Sequence, residues 1–426
     1  MKRIIIIILI VLSSIYYFKN NKTNNQVNGY VISKDKKVVF IQDKKNIIHT
    51  FKNLDVNIGD NVLIEHENNL IINYEVINSN DNKIPDNWLD DGIFSQYYNL
   101  AYKKLQTLSI DEKIGQLLIV RYNKQNDIEN LKKYNFGGYV FYEKDFKNKT
   151  KEEVKNMINN LQNNSKIPLI TSVDEEGGKV VRISSNPNLS NKKFQSPQEL
   201  YNNGGLEAIK QDTIDKIKIL SELGINLNLA PVVDVSLNST DYMYERSLGQ
   251  STEITCQFSK TVITTSKNSK VTFTLKHFPG YGNNIDTHTG IAIDNRNYED
   301  ILKNDIPQFK AGINAGAEVV LISHNTVTNI DNTQASLSYK IHNILRDDLS
   351  FTGIIITDDL SMGATNNVEN ATTKALLAGN DILIVTDYEK SINEIKQAIN
   401  NNFIDEKLID KLCFRILSWK YYKGLI

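Results

Sequence analysis

The sequence predicts an α/β protein: a (β/α)8 barrel over residues 99–426, preceded by a small all-β module. Three observations carry this. Eight short apolar runs recur from about Asn99 onwards, amphipathic stretches of helix length separate them, and most of the runs end in polar or charged residues. The runs are IGQLLIVRY, FGGYVFY, PLITSVDEE, NLNLAPVVDV, VTFTLKHFPG, AEVVLISHNT, GIIITDDLSM and NDILIVTDY. Between them lie stretches such as EEVKNMINNLQNN and TEITCQFSKTVITTSKN, with apolar residues at helical spacing. Strands of a parallel barrel are covered on both faces, so they read as continuous apolar runs rather than alternating ones. A doubly wound open sheet is the alternative, weakened by the count of eight and by the lack of Gly-x-Gly-x-x-Gly after the first strand.

Ahead of the barrel, residues 1–22 (MKRIIIIILIVLSSIYYFKNNK) join a basic start to an apolar run with no polar face. They are expected to act as a signal peptide or membrane anchor, which places the protein outside the cell or at its surface and makes this segment its one membrane contact. Residues 28–78 alternate short β-branched runs with Lys/Asp/Asn/Gly breaks, the pattern of a five- or six-stranded β-module serving as a spacer or as a cell-wall binder. Residues 79–98, polar and with an acidic run beside Pro85, are expected to link the two.

Composition narrows the partners. Lys plus Arg number 49 against 50 Asp plus Glu, so there is no cationic excess to coat a nucleic acid. Cys256 and Cys413 each sit in an amphipathic run, the setting of buried thiols rather than of a disulfide framework.

Catalytic groups in such barrels stand where strands end at the carboxyl face. Here the third run ends in Asp174-Glu175-Glu176, the fourth in Asp234, the fifth in Lys276-His277, the sixth in His324 and the seventh in Asp358-Asp359. A single aspartate at a strand end is commonly a helix cap. Five strands ending alike predict a polar pocket.

The loop after the fifth run, HFPGYGNNIDTHTG, adds Asp286 and His288 between glycines that permit turns. Two residues apart on extended chain, they face the same side, so the carboxylate can fix the imidazole tautomer and make it a proton shuttle near neutral pH. A hydrogen-bonded loop histidine without a chemical role and a metal site of His277, Asp286 and His288 are the competing readings. The ammonium of Lys276 opposes the metal.

KHFPGYGNNIDTHTG, together with VDEEGGKVVRI, APVVDV, ERSLG and GIIITDDLSMGA, resembles glycoside hydrolase family 3, in particular its β-N-acetylhexosaminidase branch. The likeness runs from about Leu108 nearly to the C-terminus. It implies a retaining exo-β-N-acetylglucosaminidase acting on N-acetylglucosamine-containing glycans such as peptidoglycan fragments, with no cofactor or metal. By the same resemblance, Asp358 is the nucleophile, Asp286 and His288 are the acid/base pair, and Asp174, Arg182, Arg246, Lys276 and His277 bind the sugar. The sequence departs from the family pattern in two places: Tyr281 stands where a histidine is usual, and the loop between Gly282 and Asp286 is one residue shorter. A glycoside phosphorylase of the same family and a catalytically silent wall-binding protein are the alternative functions.

Overall fold

The computed structural model describes residues 25–35, 38–67, 69–77, 84–125, 127–282, 292–366 and 368–426. The expected export or anchor segment and the Asp286–His288 pair lie outside the described residues. Among the described residues, no helix is long and apolar enough to cross a membrane.

All eight apolar runs form strands, and they close a barrel in chain order: Leu118–Arg121, Gly138–Phe141, Ile170–Val173, Leu227–Asn228, Thr272–Phe278, Val319–Ile322, Ile354–Asp359 and Ile382–Val385. Every neighbouring pair is parallel, and the eighth strand pairs with the first. Nearly every residue of these strands is buried, from inward and outward faces alike. That is why they lack the alternation of a sheet with one wet face.

The helices start where the sequence supplies caps. Ser109 with Glu112, Thr150 with Glu153 and Ser196 with Glu199 each form a reciprocal capping box. The helix of Pro197–Leu223 carries Pro197 in its first turn, breaks at Gly204 and Gly205, and ends on Gly224 in the left-handed conformation. Two glycines in succession remove the local bias toward helix, which explains the kink inside one amphipathic pattern.

The amino-terminal module is a five-stranded antiparallel sheet, β1 (Asn25–Asp35), β2 (Val38–Asp43), β3 (Ile48–Lys52), β4 (Asn61–Glu67) and β5 (Leu70–Ile77), in the order β3-β2-β1-β4-β5. It has a small core of its own, including Val31, Ile41, Phe51 and Ile64. Tyr30, Ile32 and Ile48, however, belong to the barrel's core cluster. Polar contacts reinforce this docking: the side chain of Asn343 donates to the Ile48 carbonyl (2.6 Å) and accepts from its amide (2.8 Å), and Lys411 donates to the Asp43 carbonyl. Within the stretch read as a linker, Trp88 and Phe94 are buried, with Trp88 against Phe414 and Phe94 against Tyr422. Cys413 is buried and Cys256 half-buried, and both are free thiols.

At the amino-terminal end of the strands, buried Asp381 accepts from Arg346 and Arg415 (2.8 Å each) and from the Ile355 amide. This ion cluster closes the barrel floor and leaves the opposite end for chemistry.

Candidate active site

The third strand ends in three consecutive carboxylates whose fates differ. Glu175 turns inward and accepts from the amides of Arg182 (2.7 Å) and Ile183 (2.8 Å), tying down the loop that carries Arg182. Glu176 is buried and ligates two cations: Arg246 by two hydrogen bonds (2.7 and 3.0 Å) and Lys276 at 2.6 Å. Burial alone would raise its carboxyl pKa, but Arg246 and Lys276 overcome that and hold it well below the usual carboxylate range. Asp174 stays half-exposed at the cavity, 2.8 Å from Lys276 Nζ and 3.7 Å from Arg182.

The fifth strand delivers Lys276 and His277 through a cis peptide, with a second cis bond at Phe278–Pro279. His277 Nδ1 lies 2.8 Å from Asp234 Oδ2, and Asp234 Oδ1 accepts from the Tyr281 amide. The other ring nitrogen, Nε2, faces the Arg246 guanidinium at 3.5 Å. A guanidinium there opposes a metal on His277, as does the ammonium of Lys276.

The seventh strand separates two adjacent aspartates. Asp359 is fully engaged: it accepts from the Ser361 amide (2.9 Å) and hydroxyl (2.7 Å) and from Thr386 Oγ1 (2.7 Å). Asp358 lines the cavity, and among the described residues it accepts one hydrogen bond, from the Asp359 amide at 2.9 Å. Burial pushes its pKa up, yet His324, His277, the Asp359 amide and Lys276 outweigh burial and keep it below the ordinary aspartate value. It is therefore an ionised carboxylate that, among the described residues, keeps lone pairs free toward a pocket, the state a nucleophile requires.

Asp174, Arg182, Arg246, Lys276, His277 and Asp358 share one cavity of about 470 Å³ at the carboxyl end of the barrel. The structure thus brings together six of the eight site residues expected from the sequence, from strands or loops up to 184 residues apart (174 to 358). A larger cavity of about 820 Å³, lined by Asp127, Lys144 and Asp145 among others, does not include Asp358. Residues not anticipated individually are Glu176, Arg121 and Tyr142. Glu176 had a visible signal, two positions beyond Asp174 at a strand end. Arg121 and Tyr142 had none, because a single Arg or Tyr after an apolar run is common on any surface.

A closed parallel barrel with an ionised carboxylate in a polar cavity at its carboxyl end defines a barrel enzyme. Residues 109–419 match the family model described as glycosyl hydrolase family 3 N terminal domain, and the chain belongs to that family. It is 28% identical over 245 residues to a β-hexosaminidase of Nitrosomonas eutropha, covering 55% of this chain and 70% of that one. Its fold is similar to a glycoside hydrolase family 3 β-N-acetylglucosaminidase from Paenibacillus sp. str. FPU-7, with TM-score 0.70, 24% identity, and coverage of 75% of this chain and 63% of that one. A β-glucoside phosphorylase, BglX, shares the fold with TM-score 0.69 and 21% identity, over 80% of this chain and 62% of that one. The chain thus spans less than two thirds of either solved structure.

Proposed function

We propose that this chain is an exported, retaining exo-β-N-acetylglucosaminidase that releases terminal β-linked N-acetylglucosamine from peptidoglycan fragments. The observation that carries the reading is the division of labour between neighbours: Asp359 is consumed by Ser361 and Thr386, whereas Asp358 is ionised and faces the cavity. Asp358 attacks the anomeric carbon and forms a glycosyl ester as the leaving oxygen takes a proton. Water then hydrolyses the ester from the opposite side, and two inversions give net retention. Lys276, Asp174, Arg182, Arg246 and His277 hold the sugar hydroxyls and acetamido group, with Glu176 and Asp234 orienting the cations and the imidazole. The leaving-group proton comes from His288, whose tautomer Asp286 sets. The N-acetylglucosamine preference draws support from the named relatives, and export from the apolar start of the sequence.

The test is turnover of a chromogenic β-N-acetylglucosaminide with and without inorganic phosphate, with trapping by a 2-fluoro sugar read by mass spectrometry. Release of free sugar and a label on Asp358 are expected. Sugar 1-phosphate as the product would favour phosphorolysis, and absence of turnover with retained sugar binding would favour the silent binder.

A further inference from the structure

One charged or polar residue that ends a barrel strand has no part in the proposed reaction. His324, after the sixth strand, is fully buried and does not line the cavity. Its Nε2 lies 3.0 Å from the carbonyl oxygen of Asp359, and its Nδ1 lies 2.7 Å from Ser336 Oγ. A carbonyl oxygen can only accept, so Nε2 carries a proton whether the ring is neutral or charged. Ser336 is held in turn: its amide donates to the Ser323 carbonyl (3.0 Å), and its carbonyl accepts from the Asn380 side chain (2.7 Å).

The bond from His324 falls where the seventh strand loses its ladder. Pairing with the sixth strand stops at Ile322–Thr357, and pairing with the eighth skips from Ile356 to Asp359. Asp358 sits in that gap. A register shift of this kind re-aims a side chain out of the regular alternation, and the shifted chain needs other bonds to hold it. From the eighth-strand side, the Ile384 carbonyl accepts from the Leu360 amide (3.0 Å) and Thr386 donates to the Asp359 side chain. Within the loop itself, the Asp359 amide donates to Asp358 Oδ1 and the Met362 amide donates to the Asp359 carbonyl (3.0 Å). His324 supplies the grip from the sixth-strand side, on the carbonyl of the same residue whose amide holds Asp358. Burial raises the pKa of Asp358, and among the groups that lower it His324 comes first.

From this we infer that His324 is a positioning residue: its Nε2–H, oriented by Ser336, holds the end of the seventh strand in the conformation that presents the Asp358 carboxylate to the cavity. The inference rests on the proposed role of Asp358 as nucleophile. For wild type, His324→Leu, His324→Gln and Ser336→Ala, kcat, KM and the rate of covalent trapping by a 2-fluoro sugar are measured beside urea midpoints. Glutamine puts an amide N–H near the position of Nε2 without a ring or a charge, and leucine puts none there. His324→Leu is expected to lower kcat and the trapping rate by about 100-fold, the scale set by a misplacement of about 1 Å. KM is expected to change little, because His324 does not touch the cavity. His324→Gln is expected to recover most of the lost rate although both variants lower the midpoint, and Ser336→Ala to lower kcat in the same way but less. Equal losses in His324→Gln and His324→Leu would show that the ring or its charge acts instead of the N–H, and overturn the inference, as would wild-type kcat in His324→Leu. Should His324→Leu fail to fold, Ser336→Ala decides: a lower kcat at constant KM and midpoint supports the role, and wild-type kcat overturns it. If wild type shows no turnover, or the label falls on a residue other than Asp358, the nucleophile reading fails instead. Crystal structures of wild type, Ser336→Ala and His324→Gln then decide the positioning alone. An Asp358 carboxylate displaced in Ser336→Ala and unmoved in His324→Gln supports it, and one unmoved in both overturns it.

Discussion

Replacing Glu176 by glutamine tests the electrostatic frame of the site. Its carboxylate lies 2.6 Å from Lys276 Nζ and 2.7 and 3.0 Å from two nitrogens of Arg246, with the side chain 1% exposed. Glutamine keeps the shape but removes the charge and turns an amide N–H₂ toward one of the cations. Lys276 retains Asp174, while Arg246 is left half-buried without a carboxylate. Removing one partner of a buried ion pair costs about 3–5 kcal/mol, a large share of the roughly 5–15 kcal/mol that holds a domain folded. Urea titration followed by fluorescence of Trp88 and Trp419, both buried, reads the loss as a lower midpoint at constant slope. The pH dependence has a definite sign. Because the folded pKa of Glu176 is depressed, its contribution is complete above the unfolded value of about 4.3 and declines as pH falls from there toward the folded value. The gap between wild type and Glu176→Gln must therefore be widest near neutral pH and narrow below about pH 4.3. A gap under about 1 kcal/mol at pH 7, far short of the buried-pair cost, or a gap that does not narrow on acidification, would refute this account of how the cations are held.

Three other outcomes are expected. Asp358→Ala loses several orders of magnitude in kcat with little change in unfolding midpoint, whereas Asp359→Ala lowers the midpoint through its lost Ser361 and Thr386 bonds and keeps measurable turnover; the reverse pattern in paired kinetics and melts would move the nucleophile to Asp359. His288→Ala steepens the dependence of kcat/KM on leaving-group pKa across an aryl glycoside series, since activated leaving groups need little protonation; a slope like wild type would remove His288 from acid catalysis. Asp381→Asn, at the opposite end of the barrel, destabilises by about 3–5 kcal/mol by stranding Arg346, while Arg415 keeps Asp90 at 3.6 Å, with KM unchanged; a KM shift equal to that of a cavity variant would contradict its placement.

The sequence by itself determined the barrel and the polar end of its strands. Eight strands were legible because a strand buried on both faces must be apolar throughout, and the cavity end because charged residues interrupt those runs where they reach it. Helix starts were legible for a local reason: a capping box is a four-residue interaction. The small module was legible from alternation, but its docking was not. Trp88, Phe94 and Ile48 find their partners Phe414, Tyr422 and Asn343 only after the chain has folded, and nothing in a polar stretch announces a buried Trp. The same limit governs the site. ITDD shows two equivalent aspartates, and their difference comes from Thr386, a residue of the next strand's loop that satisfies Asp359 and leaves Asp358 exposed to the cavity. VDEE shows three carboxylates, and which of them neutralises Arg246 depends on a contact spanning 70 residues. Arg121 and Arg182 meet on Tyr142 because three barrel strands and their loops converge there. Residue type and spacing encode what a short segment must do for itself; which buried group is satisfied and which is left free is set by side chains that only the closed barrel brings within hydrogen-bond reach.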